Sequence, residues 1–152
     1  TGFGVANTFG QAGLAKAGAA LLGALSEATG ARIALVTGKA VAAAYMALAA
    51  RTAADVVYAW PGSVIAPLDV PAAVQVLMNG KLKGQPDAEA KRAELEREYA
   101  DNIADGLNAA RKGYVDDVIE PAESRLMLVA ALEVLSAKRD TRLPKKHANL
   151  PM

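Results

Sequence analysis

The chain has 152 residues, of which 53% are hydrophobic, and this apolar content is ample for the core of one globular domain. Basic and acidic residues nearly balance, 17 against 16, which excludes a protein that binds nucleic acid or a membrane surface through its overall charge. The sequence contains no cysteine, so disulfides, thiolate metal sites and a cysteine nucleophile are also excluded.

The first half of the chain alternates helices with short extended runs. Good helix formers at residues 14–28, ending before Gly30, predict a helix that is buried on most sides. The run ARIALVT, residues 31–37, is bounded by glycines and predicts a strand buried on both faces. After a turn at Gly38, the small residues of 41–50 predict a second helix whose backbone can closely approach a neighbour or a ligand.

Proline and charge mark the next elements. DVVYAWP predicts a strand that Pro61 closes, SVIAPL a short extended piece, and residues 71–79 a helix that begins at proline. Residues 87–99 predict a charged, solvated helix. Its i,i+4 spacing predicts two ion pairs, which are Asp87 with Lys91 and Arg92 with Glu96.

The last third of the chain contains a short strand and an amphipathic helix. YVDDVIEP predicts the strand, and residues 122–138 predict the helix. Four leucines of this helix are placed to face a core or a partner: Leu126, Leu128, Leu132 and Leu135. The basic, proline-containing tail is expected to be extended. Strands that alternate with helices make α/β the predicted class, with a small sheet.

Several familiar chemistries are missing from the sequence. The one histidine, His147, lies in the tail without a nucleophile motif around it, which argues against a catalytic triad. There is no HExxH motif, Walker loop or cluster of ligating residues, so no metal site is predicted. The glycine-rich start lacks the preceding strand that a dinucleotide fingerprint requires. The longest apolar stretch is also shorter than the roughly 20 residues that cross a bilayer, and we expect a cytoplasmic protein.

The segment TGKAVAAAYM, residues 37–46, is the strongest candidate for chemistry. A strand ends there at a glycine turn and a helix starts with consecutive alanines. Free backbone N–H groups at a helix start can hold an oxyanion, and small side chains allow an oxygen to come within hydrogen-bonding distance. On composition alone, a tightly packed alanine helix without a ligand explains the same residues.

Three motifs, in matching order, resemble a known family. They are SEATGARIALVTGKAVAAAY (26–45), YAWPGSVIAPL (58–68), and YVDDVIEPAESR (114–125) followed by a helix and KRDTRLPKKHANLPM. Each is similar to a segment of the carboxyltransferase β subunits of biotin-dependent acyl-CoA carboxylases and decarboxylases. The resemblance implies an α/β, crotonase-like fold, a small sheet surrounded by helices.

The resemblance also implies how the chain is organised. Residues 1–152 would form a single C-terminal, biotin-side carboxyltransferase domain, a fragment or one chain of a split enzyme. A helical excursion would occupy residues 86–112 and an extended tail residues 139–152. The implied partners are an acyl-CoA, a biotin carboxyl carrier protein with covalently bound biotin, and an N-terminal carboxyltransferase half, in an oligomer without nucleic acid. Three tail residues would pack on another subunit: Lys145, Lys146 and His147.

The site residues follow from the family's Gly-Gly-Ala turn, which matches residues 42–44. The resemblance implies that the amides of Ala43 and Ala44 form the oxyanion hole for carboxyl transfer between carboxybiotin and the acyl-CoA. It places Ala42, Tyr45 and Met46 against the substrates, with Met46 facing the acyl group. Both glycines are alanines here, so we expect a narrowed pocket, and a Cβ is tolerated only where the backbone is helical.

Two alternatives belong to other classes. A non-catalytic assembly subunit would keep the fold and the oligomer surface while its altered turn no longer binds biotin. A crotonase-like hydratase or thioesterase is disfavoured, because no pair of glutamates stands beside the alanines to activate water.

Overall fold

The computed structural model describes residues 13–51, 53–82 and 87–139. The glycine-rich start and the tail beyond residue 139, including Lys145, Lys146 and His147, lie outside them. The helices of the described residues are α1 Leu14–Glu27, α2 Ala43–Leu48, α3 Val70–Leu77, α4 Asn79–Leu82, α5 Ala88–Asn102, α6 Gly106–Arg111 and α7 Ser124–Leu135. The strands are β1 Ile33–Val36, β2 Lys39–Val41, β3 Val56–Ala59, β4 Val64–Ala66 and β5 Asp117–Val118.

The strands form two small sheets in which every pair is parallel. One sheet has the order β1-β3-β5, with Leu35 opposite Tyr58 and Ala59 opposite Val118. The second sheet pairs β2 with β4, with Ala40 opposite Ile65. Parallel strands require crossover connections, and here helices supply them: α2 lies between β1 and β3, and α3 to α6 lie between β3 and β5. The predicted α/β class with a small sheet is confirmed.

The core is built from small side chains around β3. Val57 and Ala59 are fully buried, and they pack with Val36, Ile65 and Val115 from the neighbouring elements. Alanines dominate the rest of the core, which allows helices and strands to approach closely. A second cluster is centred on Tyr99 of α5, which packs against alanines of β4 and α3.

The predicted start of the helix at 41–50 was wrong, because Val41 belongs to a strand and Ala42 is the N-cap of the helix. Lys39–Val41 form β2, and α2 begins only at Ala43. The cause is tertiary pairing: the N–H of Val64 donates to the carbonyl of Gly38, which places β2 alongside β4. Hydrogen bonds of this ladder override the helix propensity of alanine.

Two predictions of burial were also wrong for this chain. No side chain described in α1 is fully buried, and Leu21 is 40% exposed, because α1 packs mainly against α2 and its other sides face solvent. In β1, only Val36 is fully buried. This strand lies at the edge of its sheet, with β3 on one side. An apolar composition predicted the helix and the strand, but it did not predict how many neighbours each would have. Among the described residues, no helix is long and apolar enough to span a membrane.

One of the two ion pairs predicted on α5 is confirmed. Arg92 and Glu96 lie 2.9 Å apart at their charged atoms. Lys91 pairs with Glu94 instead of Asp87, because Asp87 is the N-cap of the helix and accepts a hydrogen bond from the Ala90 N–H. An N-cap aspartate satisfies one of the free amides of the first turn, which is worth about 1 kcal/mol.

The last helix begins later than predicted. A 3₁₀ turn at Pro121–Glu123 precedes α7, which covers Ser124–Leu135. The Trp60 indole N–H donates to the Ser124 hydroxyl over 2.8 Å, which joins the start of α7 to the end of β3. Leu128 packs against the core cluster of Tyr58, whereas two other leucines are mostly exposed: Leu126 and Leu132.

A partly buried carboxylate ties the end of α7 to the edge of the sheet. Both oxygens of Asp55 lie 2.9 Å from Lys138 Nζ, and Asp55 Oδ2 accepts the Arg32 backbone N–H over 2.8 Å. The Arg32 guanidinium lies 3.5 Å from the other oxygen. Burial alone would raise the pKa of Asp55, but the hydrogen bonds from Lys138 and Arg32 and their positive charges lower it below its usual value.

We expect Asp55→Asn to lower the free energy of unfolding at pH 7 by about 2 kcal/mol, because it removes the charge-assisted hydrogen bonds that Asp55 accepts from Lys138 and Arg32. A carboxylate whose folded-state pKa is depressed stabilises above its unfolded pKa of about 3.9, and this contribution is lost as the pH falls through the folded-state pKa. Urea unfolding at pH 7 and at about pH 3 should therefore show that the variant loses less free energy of unfolding, relative to the parent protein, in acid.

The control is Asp101→Asn, at an exposed carboxylate outside the ion pairs of the described residues. A deficit for Asp55→Asn that stays constant across this pH range would show that the charge of Asp55 does not stabilise the fold.

Candidate functional site

The site is organised by the backbone of Ala42, where β2 passes into α2. Ala42 has φ 48° and ψ −116°, and it is the only non-glycine residue with positive φ in the described ranges. Its N–H donates to the carbonyl of Ala66, and its carbonyl accepts the N–H of Met46, each over 3.0 Å. Positive φ is costly for a residue with a Cβ, whereas glycine adopts it readily. The expectation that the alanines would be helical therefore holds for Ala43 and Ala44 and is wrong for Ala42.

The first turn of α2 presents unpaired amide groups. The N–H groups of Ala43, Ala44 and Tyr45 have no acceptor among the described residues, because the helix has no side-chain cap. Orphan amides at a helix start are the usual backbone donors for an anion. Ala43 is exposed and Ala44 is buried, so the side chains of these two residues lie in different environments.

A cavity of about 410 Å³ lies beside this turn. One wall consists of Ala42, Tyr45 and Met46, the second of residues 65–67 at the end of β4, and the third of side chains from residues 103–114. The lining is mainly apolar, and its size is within the range of small-molecule sites in proteins. The structure thus brings together the three residues predicted to contact the substrates.

A second cavity, of about 280 Å³, lies on the other side of α2. It is lined by residues 34–40 together with Ala44, Leu48 and Ala49. Lys39, at its edge, lies 3.9 Å from the carboxylate of Asp69. Of the two predicted oxyanion-hole residues, Ala44 therefore lines this cavity, and Ala43 lines neither of the two. The first turn of α2 stands between them.

Tyr45 connects α2 to the third wall of the larger cavity. Its hydroxyl donates to the Tyr114 carbonyl over 2.7 Å, and the two rings meet edge to face with centroids 6.3 Å apart. Burial raises the pKa of Tyr45, Tyr114 and Asp116 raise it further, and Arg51 opposes them. The hydroxyl is therefore protonated at neutral pH, where it serves as a hydrogen-bond donor and not as a base.

The third wall is shaped by a helix cap that was not predicted from the sequence. At the end of α6, the N–H of Gly113 donates to the Ala110 carbonyl and the N–H of Tyr114 to the Ala109 carbonyl, each over 2.9 Å. Gly113 has φ 77°, so these bonds form a Schellman motif with glycine in its usual left-handed position. The cap places Lys112 and Tyr114 on either side of the turn, and both line the cavity.

Asp116 fixes the segment that follows this cap. One of its oxygens accepts the Val57 N–H over 2.8 Å, and the other lies 2.5 Å from the Arg51 guanidinium. The backbone N–H of Asp116 donates to the Val57 carbonyl over 2.8 Å. Asp116 thereby holds the chain against β3 directly after it leaves the cavity, because its side chain and its backbone bind the same residue of the strand.

The cavity residues of α6 and its cap, among them Asn108 and Lys112, were not predicted from the sequence. Two signals were present: the i,i+4 spacing of these residues places them on one helix face, and the following glycine marks a helix end. The described residues contain no group of three His, Asp or Glu that could hold a metal ion, and neither cavity is lined by Asp or Glu. The chemistry that the site can offer is hydrogen bonding to an anion between apolar walls.

Comparison with known proteins gives a consistent result. Residues 1–150 match the carboxyl transferase domain. The chain is 42% identical to the carboxyltransferase subunit of propionyl-CoA carboxylase from Haloferax mediterranei, over 92% of this chain and 27% of that protein. It is 41% identical to the methylmalonyl-CoA carboxyltransferase 12S subunit of Propionibacterium freudenreichii, over 91% of this chain and 27% of that protein. The chain thus spans about a quarter of the length of these relatives.

Solved structures agree with the sequence match. The transcarboxylase 12S hexamer with methylmalonyl-coenzyme A and methylmalonic acid bound is similar with a TM-score of 0.89 and 39% identity, over 99% of this chain and 29% of that one. The β subunit of Pseudomonas aeruginosa geranyl-CoA carboxylase shares the fold, with a TM-score of 0.73 at 23% identity, over 90% of this chain and 27% of that one. The expected crotonase-like carboxyltransferase fold is confirmed.

We expect Ala42→Gly to raise the free energy of unfolding by about 1 kcal/mol, because glycine removes the strain of a Cβ at positive φ. The matched control is Ala44→Gly, two residues later in helical conformation, which should lower it by about 1 kcal/mol or more. Urea unfolding of both variants measures whether each substitution raises or lowers the free energy of unfolding. A loss of stability for Ala42→Gly as large as that for Ala44→Gly would show that Ala42 is not strained.

Proposed function

The chain belongs to the carboxyl transferase domain family, and from this premise we propose that it is the biotin-side, C-terminal half of a carboxyltransferase acting on propionyl-CoA or methylmalonyl-CoA. The observation that carries the proposal is the set of unpaired amides in the first turn of α2, flanked by two cavities. The activity would belong to an assembled enzyme, since the chain spans 27% of its relatives' length.

The residues at α2 fit the ureido group of biotin. A ureido oxygen is a hydrogen-bond acceptor, and the amides of Ala43 and Ala44 are donors without a partner among the described residues. When bound, biotin on its carrier protein would supply the ureido nitrogen that carries the carboxyl group and takes up the α-proton of the thioester. The amides would stabilise negative charge on the oxygen without changing their own protonation, as in an oxyanion hole.

The other predicted residues would form the walls of the binding site. The Cβ of Ala42 would lie beside the ligand and narrow the pocket, because a glycine at this position would leave more room. Tyr45, held by its hydrogen bond to Tyr114, would fix one wall. Met46 is 55% exposed and would present an unbranched apolar side chain to the acyl group.

The proposed partners are those of an assembled carboxyltransferase. They are an acyl-CoA, a biotin carboxyl carrier protein, and an N-terminal carboxyltransferase half from the same or another chain, in an oligomer. The hexamer of the similar transcarboxylase 12S supports an oligomer for this protein. The same amides would serve carboxylation and decarboxylation, because a donor that stabilises the oxyanion lowers the barrier in both directions.

Ala43→Pro tests the role of the Ala43 amide directly. Proline at the first helical position removes the N–H, which bonds to nothing in the described chain. Because proline disfavours the ψ of −116° that Ala42 has in the position before it, we also expect a lower unfolding midpoint for this variant. We expect the rate constant for carboxyl transfer to fall by about 10²- to 10³-fold, the usual cost of one oxyanion-hole donor. The assay uses the complete enzyme with its biotinylated carrier, and unfolding midpoints show whether the variant is folded.

The control is Ala43→Gly, which keeps the N–H and removes only the Cβ, and it should stay within a few-fold of the parent protein. A folded Ala43→Pro enzyme with parental activity would show that the Ala43 amide does not act in the reaction.

The second candidate function is a non-catalytic assembly subunit with a degenerate site. The strained backbone of Ala42 favours it, because an alanine stands where the geometry calls for glycine. The double variant Ala42→Gly with Ala43→Gly restores a Gly-Gly-Ala turn. A gain of carboxyl transfer in the assembled enzyme would support a degraded site, whereas lower or unchanged activity would oppose it and favour the active carboxyltransferase.

A further inference from the structure

Lys112 is an isolated positive charge at the larger cavity. Among the described residues that line this cavity, it is the only lysine or arginine. The other lining groups are apolar side chains, one amide, Asn108, and the rings of Tyr45 and Tyr114. Lys112 is exposed, and its side chain carries a positive charge that attracts an anion entering the cavity.

No carboxylate of the described chain neutralises Lys112. It is absent from the ion pairs of the described residues, although Arg51, Lys39 and Lys138 each have an acidic partner there. Asp116, four residues further on, is already engaged by Arg51 and by the Val57 N–H. Lys112 therefore keeps its capacity to bind an anion from outside.

The backbone beneath Lys112 is well anchored. Its N–H donates to the carbonyl of Asn108, one turn earlier on the same face of α6, over 3.2 Å. The left-handed Gly113 closes the helix immediately after it, and the hydrogen bond between Tyr114 and Tyr45 joins this segment to α2. The backbone from which the Lys112 side chain extends is thus held in place beside the cavity.

We infer that Lys112 positions the carboxylate of the carboxyl group that is being transferred. The inference rests on the proposed function, which brings such a group to this cavity. Two sources have the same chemistry: the N-carboxylate carried by biotin and the carboxylate of a malonyl-type thioester. The ion pair exists only while the group is charged and is lost when it leaves as neutral CO₂. Lys112 therefore acts on binding of the carboxylated ligand more than on the chemical step.

The test compares Lys112→Met, Lys112→Arg and Lys112→Gln in the complete enzyme with a matched control, Arg111→Met. Arg111 is the exposed neighbour on α6 that does not line the cavity. One arm measures, by calorimetry on the assembled carboxyltransferase before the biotinylated carrier is added, the Kd of methylmalonyl-CoA and of propionyl-CoA. The other arm measures KM and kcat for the carboxylated carrier in transfer to the acyl-CoA. It also measures them for the uncarboxylated, biotinylated carrier in the reverse transfer.

For Lys112→Met and Lys112→Gln, we expect about a fivefold to tenfold loss of affinity or increase of KM for one carboxylated ligand. Its uncarboxylated counterpart and kcat should change less than twofold, Lys112→Arg should recover most of the loss, and Arg111→Met should have no such effect. A loss for methylmalonyl-CoA identifies the thioester carboxylate as the ligand of Lys112, and a loss for the carboxylated carrier identifies the carboxylate on biotin.

The inference is overturned if neither carboxylated ligand is affected, or if carboxylated and uncarboxylated ligands lose equally. In both cases, normal carboxyl transfer by the parent enzyme would leave the proposed function intact. A folded, assembled parent enzyme without any transfer activity would instead contradict the proposed function itself.

Discussion

The backbone hydrogen bond from the Ala42 N–H to the Ala66 carbonyl is the constraint on which the rest of the site depends. It continues the parallel ladder of β2 and β4 by one bond beyond the last strand residue. The chain must then turn into α2 within one residue, and Ala42 does so at positive φ. The N–H of Ala42 is used in this hydrogen bond, whereas the N–H groups of the next three residues have no acceptor among the described residues. The hydrogen-bond donors of the site are therefore the unpaired amides in the first turn of α2.

The walls around those donors come from a part of the chain that is distant in sequence. The Schellman cap at Gly113 reverses the chain, and Asp116 then binds it to β3 through Val57. Tyr114 is held between these two anchors, and its carbonyl accepts the Tyr45 hydroxyl. Lys112 and Tyr114 therefore close one side of the cavity, and the residues that follow return the chain to the sheet. Positioning of the site and completion of the sheet depend on the same few residues.

The site is suited to chemistry in which the protein stabilises charge without exchanging protons. Backbone amides do not titrate near neutral pH, and the raised pKa of Tyr45 keeps its hydroxyl protonated. No carboxylate among the described residues lines either cavity, so these residues offer no acidic pair that could activate water. The small alanine side chains at the turn leave space around the amides. Ala42 is strained, however, because its backbone has the positive φ that glycine adopts more readily.

The sequence by itself determined the α/β class, the approximate places of the elements and the family, because helix propensity, apolar runs and motif order are local properties. It also singled out residues 42–46, since small side chains after a glycine turn are visible without a fold. Only the tertiary structure decided that β2 exists, that α1 and β1 are partly exposed, and that Lys112 and Tyr114 share a cavity with Tyr45. The physical reason is that strand pairing, burial and cavity walls depend on contacts between residues distant in the chain, such as Ala42 with Ala66, which compete with local propensity and here override it.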